Sequence, residues 1–160
     1  MSFRKELGSK QRKDIISAII APGISPNVLK NNVQFVLRDE KKLMNYLFDK
    51  EQQISFFSFE NMYLPTLKFV RKHAELDFPS VQVDEGAVKF VINGADIFSQ
   101  GIVKFNKDFS ENTIVTIINP QDSVLSIGKC LFSSRDLLTA KGKSIINLHY
   151  LGDKIWEEDV

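Results

Sequence analysis

The run Val83-Asp-Glu-Gly-Ala-Val-Lys-Phe-Val-Ile-Asn-Gly-Ala-Asp-Ile-Phe-Ser-Gln-Gly-Ile102 decides how the chain is read. Just before it, Val81-Gln-Val83 alternates as a short strand does, and from Asp84 to Ile92 the pattern turns to one or two turns of helix. Downstream, Ile114-Val-Thr-Ile-Ile118, Val124 to Phe132 and Ile145 to Leu151 are β-rich runs, and Ser133-Ser-Arg-Asp-Leu-Leu138 has the form of a short capped helix. Glycines at 86, 94, 101, 128, 142 and 152 punctuate these runs. Many short strands with few helices predict a small closed or partly closed barrel from residue 78 to 160.

Upstream the texture differs. Ser9 to Ile20 predicts an amphipathic helix capped by Ser9, with Ile15, Ile16, Ile19 and Ile20 at helical spacing. Ala21-Pro-Gly-Ile-Ser-Pro26 stops it, since two prolines and a glycine in six residues do not continue a helix. Val33 to Leu37 and Ile54 to Phe59 read as strands, and Leu43 to Phe48 fits a strand or a short helix. A loop at Glu60-Asn-Met62 follows, then Pro65 at the first turn of a helix running to about His73. The fold class is therefore α+β, with residues 1–77 as an N-terminal α+β domain packed directly on the barrel-like second half.

Composition narrows the function classes. A 160-residue chain that is 43% hydrophobic, with 13 Phe, buries one good core or two small ones. No apolar run reaches the roughly 18–20 residues that span a bilayer, and Lys10, Arg12 and Lys13 interrupt any secretion signal, so a cytoplasmic protein without membrane attachment is expected. The lone Cys130 reads as a small core hydrophobe in a reducing compartment. Two histidines and one cysteine make no zinc-like cluster, and His149 is expected in a structural hydrogen bond. No phosphate-loop, nucleophile-elbow or HExxH motif is present, so no catalytic residue, metal or cofactor is assigned. The net charge of +1 conceals an asymmetry: residues 1–78 carry 13 Lys/Arg against 9 Asp/Glu, net +4, and residues 79–160 carry 8 against 11, net −3. The second half thus lacks the usual basic footprint of a nucleic-acid binder.

The order Asp-x-Gly-Ala, Asn-Gly-Ala-Asp and Gly-Ile within Val83–Ile102 resembles the signature of the PUA domain, the RNA-binding module of pseudouridine synthases and archaeosine transglycosylases. Ser126-Ile-Gly-Lys129, Lys141-Gly-Lys143 and Asn147-Leu-His-Tyr-Leu-Gly-Asp-Lys-Ile-Trp156 resemble one branch, the malignant T-cell amplified sequence family with its archaeal single-PUA relatives. The likeness is strong from Tyr63-Leu-Pro-Thr-Leu-Lys-Phe69 onward and modest before it. It departs at Gln100, where related sequences often carry proline. Leu37-Arg-Asp39 is superficially similar to the neighbourhood of a pseudouridine synthase's catalytic Asp, but its order differs and the first half is too short for that catalytic domain.

The resemblance implies a groove formed by the short helix and the strand after it, with Gly86, Ala87, Lys89, Phe90, Gly94 and Ala95 on or near it. Gly86, Gly94 and Gly101 permit positive φ and leave backbone N–H groups open to phosphate or ribose; tight barrel turns would require the same glycines, as they would Gly128. Lys89, Lys104, Lys107, Lys129, Lys141 and Lys143 are candidates for phosphate contacts, and Phe90 is expected in the core. The function implied is RNA binding, to tRNA or to rRNA of the small ribosomal subunit, in translation initiation, recycling or re-initiation beside an initiation-factor-like protein. A non-catalytic RNA-binding subunit of a pseudouridylation or archaeosine-type enzyme is the alternative, and an interaction module without RNA contact a third. The basic cluster Lys10-Gln-Arg-Lys13 opposes the helix dipole and invites a partner.

Overall fold

Residues 4–20, 24–73 and 75–157 are described by the computed structural model, and the chain divides into one unit of residues 1–77 with 157–160 and a second of residues 78–156. In the first unit, β1 (Lys5–Glu6), β2 (Phe35–Asp39), β3 (Met44–Phe48), β4 (Ile54–Phe59) and β5 (Met62–Pro65) make an antiparallel sheet in chain order. Helices α1 (Ser9–Ser17), α2 (Pro26–Asn31) and α3 (Leu67–Lys72) complete it. Leu29, Val33, Leu47, Phe56 and Phe69 are buried together, with Ile15, Ile16 and Ile19 packed on them. Leu43–Phe48, open between helix and strand in the sequence, is a strand.

Several boundaries differ from the sequence reading for identifiable reasons. Gly8, not Ser9, caps α1, and the Gln11 side chain accepts from the Gly8 N–H at 3.4 Å. The helix ends at Ser17 rather than Ile20 because sheet pairing takes over: Tyr63 N–H donates to Ala18 O at 3.0 Å and Ile20 N–H to Tyr63 O at 2.9 Å. The stop at residues 21–23 lies outside the described residues, but a second helix follows it directly, with Ser25 accepting from Val28 N–H at 3.4 Å and Pro26 in its first turn. Pro65 closes β5 instead of opening α3; Thr66 is the cap, its hydroxyl accepting from Phe69 N–H at 3.2 Å. Met62 begins a strand because the two residues Glu60 and Asn61 complete a tight hairpin, with Glu60 at φ 55°.

The second unit contains β6 (Ser80–Val83), α4 (Glu85–Val91), β7 (Ile97–Phe98), β8 (Ile102–Phe105), β9 (Ile114–Ile118), β10 (Val124–Cys130), α5 (Ser134–Leu137) and β11 (Lys143–Tyr150), with α6 (Lys154–Glu157) ending the described chain. Its sheet runs β7-β11-β10-β9-β6-β8, antiparallel except for the parallel β6–β9 pair. The two edge strands, β7 and β8, are joined by the single 3-10 turn Ser99–Gly101. Laid flat, six strands would put those edges about 24 Å apart, whereas four residue steps reach at most about 14 Å. The sheet therefore curls into a half-barrel, the expected pseudo-barrel of mixed strands with short helices. Register shifts at Gln82/Val83, Val124/Ser126, Ile127/Gly128 and Lys143/Ile145 supply the bends.

Val81, Val83, Val91, Val115, Ile117, Cys130 and Ile145 fill the barrel. Cys130 is fully buried, and burial raises its thiol from an ordinary 9.0 to about 12. Gly128 sits at a bulge in this core; a Cβ there would lie 2.6 Å from Ile145 Cγ2 and 2.9 Å from Ile117 Cδ1. His149 is wholly buried with Nδ1 2.8 Å from Asp153 Oδ2, in the structural role expected of it. Burial alone would raise the Asp153 carboxyl, but the hydrogen bond with His149 and those from the Trp156 and Tyr150 N–H groups hold it below its ordinary value.

Gly128→Ala is expected to destabilise the chain by about 1–3 kcal/mol through overpacking, read from urea unfolding; an unchanged midpoint would show that the bulge relaxes freely. Cys130 is expected to resist a thiol reagent at pH 8 until the protein is unfolded, and reaction at the rate of a free thiol would contradict its burial. Because the folded thiol's pKa lies above the unfolded one, its contribution to stability is complete below 9.0 and is lost as pH rises from there toward 12, which alkaline unfolding measures.

Candidate nucleic-acid interface

Asp84 makes the turn from β6 into α4: its Oδ1 accepts from Ala87 N–H at 2.8 Å, and its own N–H donates to Gly101 O at 2.9 Å. The helix start is thereby tied to the 3-10 turn. At the other end, Gly94 N–H donates to Val91 O and Ala95 N–H to Phe90 O, both at 3.0 Å, a Schellman-type closure that places Gly94 at φ 90°. A Cβ at Gly94 would also meet the Tyr150 ring at 2.8 Å. Fold geometry alone therefore requires glycine at this position.

Between α4 and the β7–β8 turn lies an open cleft of about 340 Å³, walled by Gly86, Ala87, Ala95 and Gly101 and rimmed by Phe90 and Phe98. A Cβ at Gly101 would lie 3.3 Å from Ala87 Cβ, so a larger residue here would fill the cleft from below. Phe90 is 58% exposed and Phe98 48%, which corrects the expectation of a core Phe90: on a short amphipathic helix Val91 takes the inward position. Lys89 Nζ stands 5.1 Å from the Phe90 ring. Among the described residues, the ionic groups lining the cleft are the carboxylates Asp84 and Asp96.

Asn147 and Asp96 fix the wall. The Asn147 side-chain amide donates to Val91 O and Ala95 O at 3.0 Å, while its backbone N–H donates to Asp96 Oδ1 at 2.8 Å. The other Asp96 oxygen pairs with Lys143 Nζ at 3.0 Å. Ser99, in the 3-10 turn, donates its N–H to Gly142 O at 3.0 Å and shares a hydroxyl hydrogen bond with Ser144.

Of the residues singled out in the sequence, Gly86, Ala87, Ala95 and Gly101 meet in the cleft. Gly94 shapes its end, Lys143 reaches it through Asp96, and Lys89 lies exposed on α4 beside Phe90. The others do not converge there. Gly128 is inside the sheet, Lys129 is half-buried on β10, Lys104 is exposed on β8 and Lys141 is exposed in the loop before β11. Of these glycines only Gly94 has positive φ; a Cβ at Gly86 would make ordinary contact with Asp84 Oδ1 at 3.4 Å, and one at Gly101 would press lightly on Ala87 Cβ, so neither position demands a left-handed backbone. Sequence reading missed Phe98, Gln100, Asp84 and Asp96 as lining residues, although Asp-x-Gly-Ala, Asn-Gly-Ala-Asp and Ile-Phe-Ser-Gln-Gly held them in plain view.

Comparison with known proteins agrees with this geometry. The PUA domain model matches residues 79–151. An uncharacterized protein of Methanocaldococcus jannaschii is 37% identical over 129 residues, 79% of this chain and 76% of its own length. Translation machinery-associated protein 20 of Saccharomyces cerevisiae is 34% identical over 133 residues, 78% of this chain and 72% of its own. The malignant T-cell-amplified sequence 1 homolog of Dictyostelium discoideum is 30% identical over 162 residues, 94% of this chain and 88% of its own. The crystal structure of a PUA domain from Aeropyrum pernix K1, a tartrate complex, shares the fold with a TM-score of 0.79 at 18% identity, covering 98% of this chain and 90% of that one. With the signature run folded around the cleft and relatives aligned along most of the chain, this protein belongs to the PUA-domain family of the malignant T-cell-amplified sequence and translation machinery-associated 20 proteins.

Proposed function

We propose that the chain is a non-catalytic RNA-binding protein of the translation machinery, in which the cleft beside α4 receives an unpaired nucleotide. The observation that carries this reading is the pair of exposed rings, Phe90 and Phe98, over walls built from Gly86, Ala87, Ala95 and Gly101. Large aromatic groups on a rim hold unstacked bases through their faces, and small residues behind them leave room for a base to enter. The Asp84 carboxylate, engaged only through Oδ1 at the helix cap, suits a base with an exocyclic amino group and disfavours a phosphate, so the base rather than the backbone goes in. Lys89, beside the rim, and Lys143, held by Asp96, are the nearest cations for the flanking phosphates.

Family membership supports a role in translation. We assign residues 1–77 as the pre-PUA domain and 78–160 as the PUA domain, with tRNA or small-subunit rRNA as the RNA and initiation, recycling or re-initiation as the step. An initiation-factor-like protein is the accompanying partner, and the cytoplasm is the compartment. Among the described residues no group of three or more His, Cys, Asp or Glu is placed to hold a metal, and no helix is long and apolar enough to cross a membrane.

Fluorescence anisotropy with labelled tRNA and small-subunit rRNA fragments tests the reading. Phe90→Ala with Phe98→Ala is expected to weaken binding by about 5- to 150-fold, equivalent to about 1–3 kcal/mol for a stacked base. Gly101→Leu, which fills the cleft, should weaken it comparably while leaving the circular dichroism unchanged. Wild-type protein that binds none of these RNAs would overturn the proposal.

A further inference from the structure

The net charges of the two halves of the chain pose a question that the cleft does not answer. Affinity for RNA comes largely from cations neutralising phosphates. Yet residues 79–160 are net −3, and the ionic groups lining the cleft are carboxylates. Residues 1–78 are net +4.

Within the first unit, a concavity of about 400 Å³ opens between α1 and α2. Arg12 and Lys13 enter it from α1 and Lys30 from α2, beside the polar groups of Ser9 and Asn27, and no carboxylate lines it. Among the described residues, none of the three cations has an acidic partner within 4.0 Å. Arg12 is held in place by its Nη2, which donates to Leu7 O at 3.2 Å, while its Nε is buried without a partner. The first turn of α1 has no acidic residue, so Lys10, Arg12 and Lys13 crowd against the positive end of the helix dipole. Three cations gathered without counter-charge repel one another in the free protein, and a polyanion offsets that repulsion.

We infer that the α1–α2 concavity is a second RNA site, one that grips the phosphate backbone through Arg12, Lys13 and Lys30. This rests on the RNA-binding reading above and divides its labour: the first unit supplies salt-sensitive affinity, and the cleft of the second unit supplies the hold on a base. A backbone clamp needs no aromatic group. Apart from its cations, the concavity offers Ile16 and Pro26 as floor and hydrogen-bonding side chains at Ser9 and Asn27, which fits phosphate and ribose rather than a stacked base.

The test measures RNA affinity of the full chain across a salt series by anisotropy. Each phosphate contact contributes about 0.7–0.9 to the slope of log affinity against log salt. The variant Arg12→Gln, Lys13→Gln, Lys30→Gln is expected to bind at least about tenfold more weakly near 0.1 M salt and to lose about 2–3 from that slope. Phe90→Ala with Phe98→Ala is expected to weaken binding while keeping the wild-type slope. Because Arg12 also bonds to Leu7, the pair Lys13→Glu, Lys30→Glu, both exposed, repeats the test if the triple variant does not fold. A wild-type slope and affinity in these variants would overturn the inference, leave the cleft proposal standing and give the concavity to an acidic protein. Absence of RNA binding by the wild-type chain would overturn both.

Discussion

Three residues, Ser99, Gln100 and Gly101, join strands that stand at opposite edges of the same sheet. Everything notable in the second unit depends on that short tether. It forces the sheet to curl, and the curl is absorbed at four register shifts, one of them at Gly128, where there is no room for a side chain. It also delivers Gly101 against Ala87, so the turn that shuts the barrel is one wall of the cleft. Barrel and cleft are two results of one connection.

The same economy governs the other wall. Asp96 accepts from the Asn147 backbone and pairs with Lys143, and the Asn147 amide spans Val91 O and Ala95 O, so the segment after α4 is fastened to β11 along its length. These bonds fix the wall in its final shape, which would lower the ordering entropy of binding for the nucleotide we propose it receives. Among the described residues, the cleft lining itself carries no Lys or Arg. Cations are gathered instead in the first unit, between two helices with no acid among the lining residues.

How much of this was legible in the sequence depended on whether the signal was local. The strands at 114–118, 124–130 and 143–150 and the helix at 85–91 were readable because alternation, Gly punctuation and an Asp cap act over a few residues. The two-residue strands β1 and β7 exist only through pairing with distant partners, and no local pattern marks them. At α1 a local rule was overruled: Ile19 and Ile20 suit the helix, but Ala18 O and Ile20 N–H pair with Tyr63 instead. The site was half legible. Small residues in the signature run pointed to the cleft, and hydrophobicity misdirected the reading of Phe90, because an apolar residue on a short helix is apolar whether it faces the core or a ligand. Lysines were the least readable: Lys89 and Lys143 border the cleft, but Lys104, Lys129 and Lys141 project elsewhere, and spacing along strands does not report which edge of a curled sheet a residue occupies.

The curl also bears on the strand edges that one copy of the chain would present to another. A net charge of +1 provides almost no long-range repulsion between copies, and a β-rich surface with exposed strand edges would be an open template for edge-to-edge growth. In the second unit those edges are strands of two and four residues, β7 and β8, drawn toward each other by the tether between them. Short, tethered edges thus leave the second unit little template for edge-to-edge pairing where net charge adds little repulsion.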